Sequence, residues 1–429
     1  MSGVRHVASS VTKATLRQSY SDGPAAAPLG AVRPAVWLRR LGVVNFRCYG
    51  AATLDLDQRP VVLTGPNGAG KTNLLEAISL LAPGRGLRGA RLEEMDRRVE
   101  APGADAAPWA VAAAVATPDG PREVGTGRDP APEARERREN KPEARERRVI
   151  KIDGAFARRQ QALGEILAVT WLTPRMDGLF RDGPGARRRF LDRLVHGLDP
   201  AHAGRVTAYE RAMRERARLL RAGRTDDAWL GAIEEGMARR GIAIAAARRD
   251  LVTRLGALSA RRVGPFPVAE PTLSGDVALW LDEGPALAAE DRLRHALAAA
   301  RAADAETGGA AAGPHRADLL VRHAARGMPA AACSTGEQKA LLVSMVLAHG
   351  RLLDLHRGAP PILLLDEVAA HLDEARRRAL YGELAALGTQ AWLTGTDAGV
   401  FAPLGARAQF FLVADATVRP AGAPAGAGK

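Results

Sequence analysis

Two periodicities divide this chain. In "VWLRRLGVVNFRCYGAATLDLDQRPVVLTG", residues 36–65, apolar residues come in short alternating or continuous runs, which predicts strands. "WAVAAAVATPDGPREVGTGRD", residues 109–129, predicts two strands around a Pro-Asp-Gly turn, and "RVIKIDG" at 148–154 resumes a strand. From 186 to 262 the period changes. In "AYERAMRERARLLRA" and "LGAIEEGMARRGIAIAAARRDLVTRLGALSARR" apolar residues recur at three and four, with charge between them, which predicts long helices. "PFPVAEPTL" and "GDVALWL", at 265–281, read as a return to strand, and "ILLL" at 362–365 reads as a buried one. The pattern predicts an α/β core in two segments, 36–185 and 300–415, with a mainly helical lobe inserted at 186–299. Residues 1–35 read as a disordered extension, and 416–429 as a low-complexity, flexible tail.

Composition changes this picture in three places. At 429 residues, two domains can each bury a core. The formal net charge is +13, carried by arginine, because lysine stands only at 13, 71, 141, 151, 339 and 429. Guanidinium suits bidentate phosphate contacts, so the excess points to a polyanion partner; a general drift toward Arg and Ala gives the same count. Two cysteines, Cys48 and Cys333, are too few for a disulfide framework and fit a reducing, cytoplasmic setting. No apolar run approaches the ~20 residues of a membrane span. Residues 1–30 carry Arg5, Lys13 and Arg17 against one acid, Asp22, faintly like a transit peptide, without the apolar core of a secretory signal. The tandem "PEARERREN" and "KPEARERRV" within 128–148 reads as a solvated loop insertion.

The candidate chemistry begins where "PVVLT" breaks into "GPNGAGKTN". This matches G-x-x-x-x-G-K-[ST], with a strand before it and a helix after. Gly65, Pro66, Asn67, Gly68, Ala69 and Gly70 form a loop that cradles phosphate oxygens with the backbone N–H groups of its residues other than Pro66, which has none. Lys71 reaches the β- and γ-phosphates of a nucleoside triphosphate, and the Thr72 hydroxyl is a Mg²⁺ ligand. A helix N-terminus at the same place favours the anion. The second signal is "PPILLLDEVAAHLD". Asp366 and Glu367 follow a buried strand, where ligands gather in parallel sheets. There Asp366 would hold Mg²⁺ and Glu367 would polarise the attacking water as general base. The third is "CSTGEQKALLVSMVLAHG". Ser334 with Glu337 three residues on is a capping box opening a buried helix; the same hydroxyl and Gly336 at a helix start also suit a phosphate.

The remaining charged residues have plainer readings. Arg187, Arg188 and Arg189 read as a solvated helix face. His315 and Arg316 read as a turn with a satisfied histidine or as part of a nucleotide or interface site. No His/Cys spacing suggests zinc, and no Ser/His/Asp set suggests a hydrolase triad.

With "LGVVNFRCYG", "LTGPNGAGKTNLLEAISLLAPGRGLRGAR", "WLTPRMDGLFRDGPGARRRFLDRLV", "YERAMRERARLL", "GPHRADL", "CSTGEQKALL" and "ILLLDEVAAHLD", the chain resembles the RecF family of bacterial recombination mediators, a branch of the ABC/SMC-like ATPases. The likeness covers most of 36–415 and does not extend to the first 35 residues or to the repeat. It implies an ABC-type P-loop ATPase head with an inserted helical lobe. It implies ATP and Mg²⁺ as cofactors and slow DNA-dependent hydrolysis. It implies binding to single-stranded, gapped or double-stranded DNA in the cytoplasm, and help in loading RecA with RecO and RecR. ATP would join two copies into a clamp. Residue by residue, the resemblance implies that Arg47 lies near the nucleotide, that Ser334, Gly336 and Gln338 act on the nucleotide of a partner copy, and that Asp373 crosses the dimer interface. Thr396, in "WLTGTD", would stand where transporters carry a switch histidine. A transporter ATPase would place its signature closer than the 263 positions between Lys71 and Ser334. Another SMC-like repair ATPase would carry a far longer helical arm. A weakly hydrolysing DNA-binding scaffold is opposed by Lys71 and Glu367.

Overall fold

The computed structural model describes residues 35–97, 108–129, 147–223 and 227–424. The extension, most of the charged repeat and the last five residues lie outside them.

Among the described residues there are two larger sheets. The first is antiparallel, in the order β2-β1-β4-β5-β6-β7: β1 (Trp37–Phe46), β2 (Tyr49–Asp55), β4 (Ala110–Thr117), β5 (Gly120–Arg128), β6 (Arg148–Ile152) and β7 (Ala155–Phe156). Alternation explains it: Val111, Ala113 and Val115 face inward along β4 while their neighbours face out. The second sheet, in the order β15-β14-β3-β13-β12-β8, forms the mostly parallel centre. It comprises β3 (Val61–Thr64), β8 (Val169–Leu172), β12 (Ile362–Leu365), β13 (Ala391–Gly395), β14 (Gln409–Ala414) and β15 (Thr417–Ala421). Strands β3, β8, β12 and β13 are buried throughout, which is why they read as unbroken apolar runs. Gln390 fastens the two sheets together. Its amide donates to the carbonyls of Leu38 (3.0 Å) and Asp57 (2.8 Å), and its oxygen accepts from the Leu38 N–H (3.0 Å).

Helix α1 (Lys71–Ser79) follows β3, and α2 (Gln161–Ile166) precedes β8. Helix α3 (Pro184–Leu198) buries Phe190, Leu191, Leu194 and Val195 in the main core. The long helices expected after it are α4 (His202–Arg221) and α5 (Asp227–Ser259). Helix α5 belongs to two cores: Leu251, Val252 and Leu255 join the main one. Met237, Ile242 and Ala245 join a second, built with Tyr209, α6 (Asp276–Glu283) and α7 (Ala286–Ala299). Helix α8 (Arg301–Thr307) closes this lobe through a buried charge set, in which Arg216 of α4 meets Glu234 (2.8 Å) and Asp304 (2.7 Å). A small antiparallel sheet follows, β9 (Ala269–Ser274), β10 (Asp318–His323) and β11 (Met328–Pro329). Helix α9 (Thr335–Arg357) is buried from Gln338 to Gly350, and α10 (Glu374–Leu387) lies beyond β12. No helix among the described residues is long and apolar enough to cross a membrane.

Three expectations are corrected. "GDVALWL" is helix α6 rather than strand: Val277, Ala278 and Leu281 share the buried face at helical spacing, against the second core. The tail is not loose from 416 onward, because β15 pairs antiparallel with β14, Val418 opposite Val413. The arginine run is a solvated face only at Arg189, which is exposed. Arg187 grips Asp318 of β10 with two bonds of 2.8 Å, and Arg188 donates to the Ala317 carbonyl at 2.8 Å.

Histidine 349 of α9 is fully buried. Its Nε2–H donates to the Leu194 carbonyl (2.8 Å), and its Nδ1 lies 3.2 Å from the Thr170 hydroxyl, which donates to it when the ring is neutral. Burial pushes its pKa down to about 4, and that of His196 down to about 4 as well. The unfolded chain therefore binds protons that the folded chain refuses. Folding stability should hold above pH ~6.5 and fall as pH drops from there toward 4. Thermal melts across this range should show that fall, with a shallower slope for His349→Asn.

Candidate nucleotide site

The site lies where β3, β13 and β12 end. The three strands run parallel with Gly395 level with Thr64 and Leu393 level with Leu365. The ends of the strands emerge at the same edge: Gly65 after β3, Asp366 after β12, and Thr394 as the penultimate residue of β13.

The loop 65–70 turns sharply enough that Gly65, Gly68 and Gly70 all hold positive φ. Gly65 has a second constraint: a Cβ there would stand 2.0 Å from the Val413 carbonyl oxygen. Pro66, Asn67 and Gly68 are exposed at the tip, while Ala69, Gly70 and Lys71 are buried behind it. The Lys71 ammonium donates to the carbonyls of Gly65 (2.7 Å) and Pro66 (2.8 Å). Burial lowers its pKa, opposed by the charges of Glu367 and Asp366. Thr72, next along α1, donates its hydroxyl to both Asp366 oxygens, at 3.0 and 3.1 Å. Two residues expected to share a Mg²⁺ ion are thus in contact, although 294 positions apart.

Burial raises the Asp366 pKa and the neighbouring Glu367 adds to the rise, against hydrogen bonds from Thr394 and Thr72. One carboxylate and one hydroxyl are hard oxygen donors, too few for an all-protein cage and suited to an ion completed by phosphate and water. Glu367 has φ 54, the left-handed region, costly for a side chain with a Cβ. Its N–H donates to Thr394 Oγ1 at 2.9 Å. Thr394 was not a sequence candidate. Thr396 stands exposed beyond the end of β13, and the threonine of this strand that reaches the Asp366 carboxylate is Thr394.

Arg47 is brought beside α1 rather than against the loop. It holds Glu76 by two bonds (2.8 and 2.6 Å), and Glu76, 1% exposed, also accepts from Arg88 at 2.8 Å. Arg88 continues to Asn73 (2.9 Å), and Asn73 to Cys48 Sγ (3.1 Å). At the other end of α1, Arg148 donates to the carbonyls of Leu80 and Gly84, a cation where the helix dipole favours one. Sequence reasoning missed Glu76, whose sign is a lone acid inside "LLEAISLLA".

The 334–338 segment opens α9 as expected. Ser334 accepts from the Glu337 N–H, and Glu337 accepts from the Ser334 N–H at 3.0 Å. Backbone and hydroxyl bonds from Ser334 hold the Glu337 pKa low. Ser334, Thr335 and Gly336 are exposed; Gln338 is turned inward, 1% exposed, and donates to the Cys333 carbonyl at 2.8 Å. Asp373 is the exposed N-cap of α10, accepting from the Arg376 N–H at 2.8 Å. His315 is satisfied on both nitrogens, by Tyr209 (2.9 Å) and the Ala310 carbonyl (2.9 Å), and Arg316 also reaches Ala310.

We expect Gly65→Ala to lose about 3 kcal/mol of stability, from backbone strain and the clash with Val413 together. Gly68→Ala, with open space around it, should lose about 1 kcal/mol, from φ alone. Denaturant melts of the two variants check the difference.

Comparison with known proteins identifies the family and the fold. A family model described as the RecF/RecN/SMC N terminal domain matches residues 37–406. A protein of Mesorhizobium japonicum named DNA replication and repair protein RecF is 50% identical over 385 residues, 89% of this chain and 97% of that one. Its namesake from Rhizobium rhizogenes is 50% identical over 381 residues, 88% of this chain and 97% of the other. A solved structure described as the recombination mediator protein RecF-ATP in the RecFOR pathway superposes with a TM-score of 0.75 at 21% identity, covering 90% of this chain and 100% of that one.

Proposed function

Because this chain belongs to the RecF family and has the ABC-type ATPase head fold, we propose that it is an ATP-dependent DNA-binding protein of replication and recombinational repair. The observation that carries the proposal is the meeting of the Gly65–Thr72 loop with Asp366 and Glu367 at one sheet edge. The loop amides and Lys71 hold the triphosphate. Thr72 and Asp366 hold Mg²⁺, which neutralises phosphate charge. Glu367, on its strained turn, orients and deprotonates water. Arg47 grips the middle of α1 through Glu76, and the next two residues, Cys48 and Tyr49, pack behind the loop at Gly70.

The exposed start of α9 supports a dimer. Its body is buried, but Ser334, Thr335 and Gly336 face outward with the dipole's positive end. We assign this turn to the nucleotide of a second copy, with Gln338 bracing it from within and Asp373 at the same interface. ATP then closes two heads on single-stranded, gapped or double-stranded DNA in the cytoplasm, and hydrolysis reopens them. The net charge of +13 supports the polyanion partner. RecO and RecR are the proposed protein partners, and RecA loading the proposed outcome.

Three results test this reading. Lys71→Ala should weaken ATP binding, whereas Glu367→Gln should bind ATP and hydrolyse it ~10²–10⁴-fold more slowly. Wild-type turnover by Glu367→Gln would remove Glu367 from the role of base. For the dimer, Ser334→Arg should bind ATP as a monomer and fail to close, read by light scattering with ATP beside Glu367→Gln. If Ser334 only caps α9, the variant should lose about 1 kcal/mol of stability and still dimerise. Duplex and gapped DNA binding by wild type should strengthen with ATP and weaken with salt, adding about −0.9 to the log–log slope per neutralised phosphate.

A further inference from the structure

Thr394 is fully buried in β13 and touches both acidic residues at the end of β12. Its Oγ1 is 2.7 Å from Asp366 Oδ1 and 2.9 Å from the backbone nitrogen of Glu367. A carboxylate accepts and an amide donates, so this one hydroxyl must donate to Asp366 and accept from Glu367. Both of its strong hydrogen bonds are thereby committed.

The two donors on Asp366 differ in what else they must do. Thr72 opens α1 at the phosphate loop, and its hydroxyl is itself a cation ligand in the reading above. When it turns to a cation, its bonds to Asp366 lengthen or break. Thr394 sits on the neighbouring strand and is not called away to a cation. Glu367 presents the complementary problem. At φ 54 its N–H leaves the extended direction of β12, and the partner it finds is this same hydroxyl. Left unpaired, that part-buried N–H would be destabilising. One threonine thus supports the carboxylate that meets the metal and the backbone turn that aims the next carboxylate.

We infer that Thr394 is the positioning residue of the nucleotide site: its hydroxyl orients Asp366 toward Mg²⁺ and holds the left-handed turn that presents Glu367 to the attacking water. The inference rests on the reading of this edge as a Mg·ATP site. Outer partners that orient a metal ligand commonly change metal affinity by about 10–100-fold when removed. Thr394 touches neither the nucleotide loop nor Lys71 in this role, so binding of nucleotide without metal is independent of it.

The test follows a fluorescent ATP analogue while Mg²⁺ is raised, with EDTA as the metal-free point, in wild type, Thr394→Val and Thr394→Ser. Affinity in EDTA should be the same in all three. The Mg²⁺ concentration for half-saturation should rise about 10–100-fold in Thr394→Val and return close to wild type in Thr394→Ser. Turnover should fall with it. Thr394→Ala, free of any misfit from the extra methyl, should show the same shift and covers the case of a valine variant that does not fold. A Thr394→Val or Thr394→Ala protein that takes up Mg²⁺ at the wild-type concentration, whatever its melting temperature, overturns the inference and leaves the Mg·ATP reading standing. A wild type that binds no ATP overturns the reading of the site, and the inference with it.

Discussion

The groups at the nucleotide edge depend on one constraint, the register of β3, β13 and β12. Side chains along a strand alternate, so a slip of one residue would turn Asp366 or Thr394 to the opposite face of the sheet. Hydrophobic patterning cannot guard against this slip, because these strands are buried on both faces and read "VVLT", "AWLTG" and "ILLL". Polar pins supply what the apolar run lacks. Thr394 joins β13 to the end of β12, Thr389 donates to the Pro361 carbonyl below it, and Thr64 reaches the Phe411 carbonyl at 3.4 Å. Gln390 locks the start of β13 to β1. Each is a buried group whose partner exists in only one register, so a slip would leave several unsatisfied at once.

How much of this was legible follows from how local each signal is. The phosphate loop, the strand ending in Asp366 and Glu367, and the capping box of Ser334 are contained in a few consecutive residues, and each takes the local form expected of it. Thr394 carries no local sign. It is a threonine in a buried strand, and its importance comes from a partner 28 positions away. The pairing of Arg187 with Asp318 joins residues 131 apart, so a run of three arginines could be read only by its charge. "GDVALWL" failed for a different reason. Over seven residues the apolar spacing fits strand or helix, and the second core decides. "RPA" in the tail looked featureless because β15 is an edge strand with few apolar residues to bury.

Two of the motifs that carry the resemblance prove to be joints. "RRRFLDR" and "GPHRADL" meet where α3, α5 and the start of β10 come together. Arg187 binds Asp318, Arg188 binds the Ala317 carbonyl, and Asp192 takes two bonds of 2.7 and 2.8 Å from Arg248. Arg248 also donates to the Pro314 carbonyl at 2.6 Å, and His202 completes Asp192 at 2.8 Å. Burial alone would raise the Asp192 pKa; these bonds lower it instead. Such pairs add little over well-packed apolar residues, but losing one partner strands a buried charge at a cost of about 3–5 kcal/mol. The joint therefore fixes one geometry between the helical lobe and the ATPase core.

Helix α9 makes that fixed geometry matter at the nucleotide edge. Its N-terminal turn is exposed and capped, while its middle is held to β8 by His349 and Thr170, and β8 pairs with β12 from Val169 to Leu172. Nearer the turn, Lys339, 5% exposed, reaches Asp177 at 3.2 Å, just past the end of β8. Ser334 and Asp366 are thus the two ends of one continuous path through α9, β8 and β12. A displacement of the exposed turn has to move the strand beside Asp366 or break buried polar contacts, and close packing makes the second course expensive. The turn that faces outward and the carboxylate that faces the phosphate loop are therefore set by the same rigid body, which is what a site shared between two copies would require.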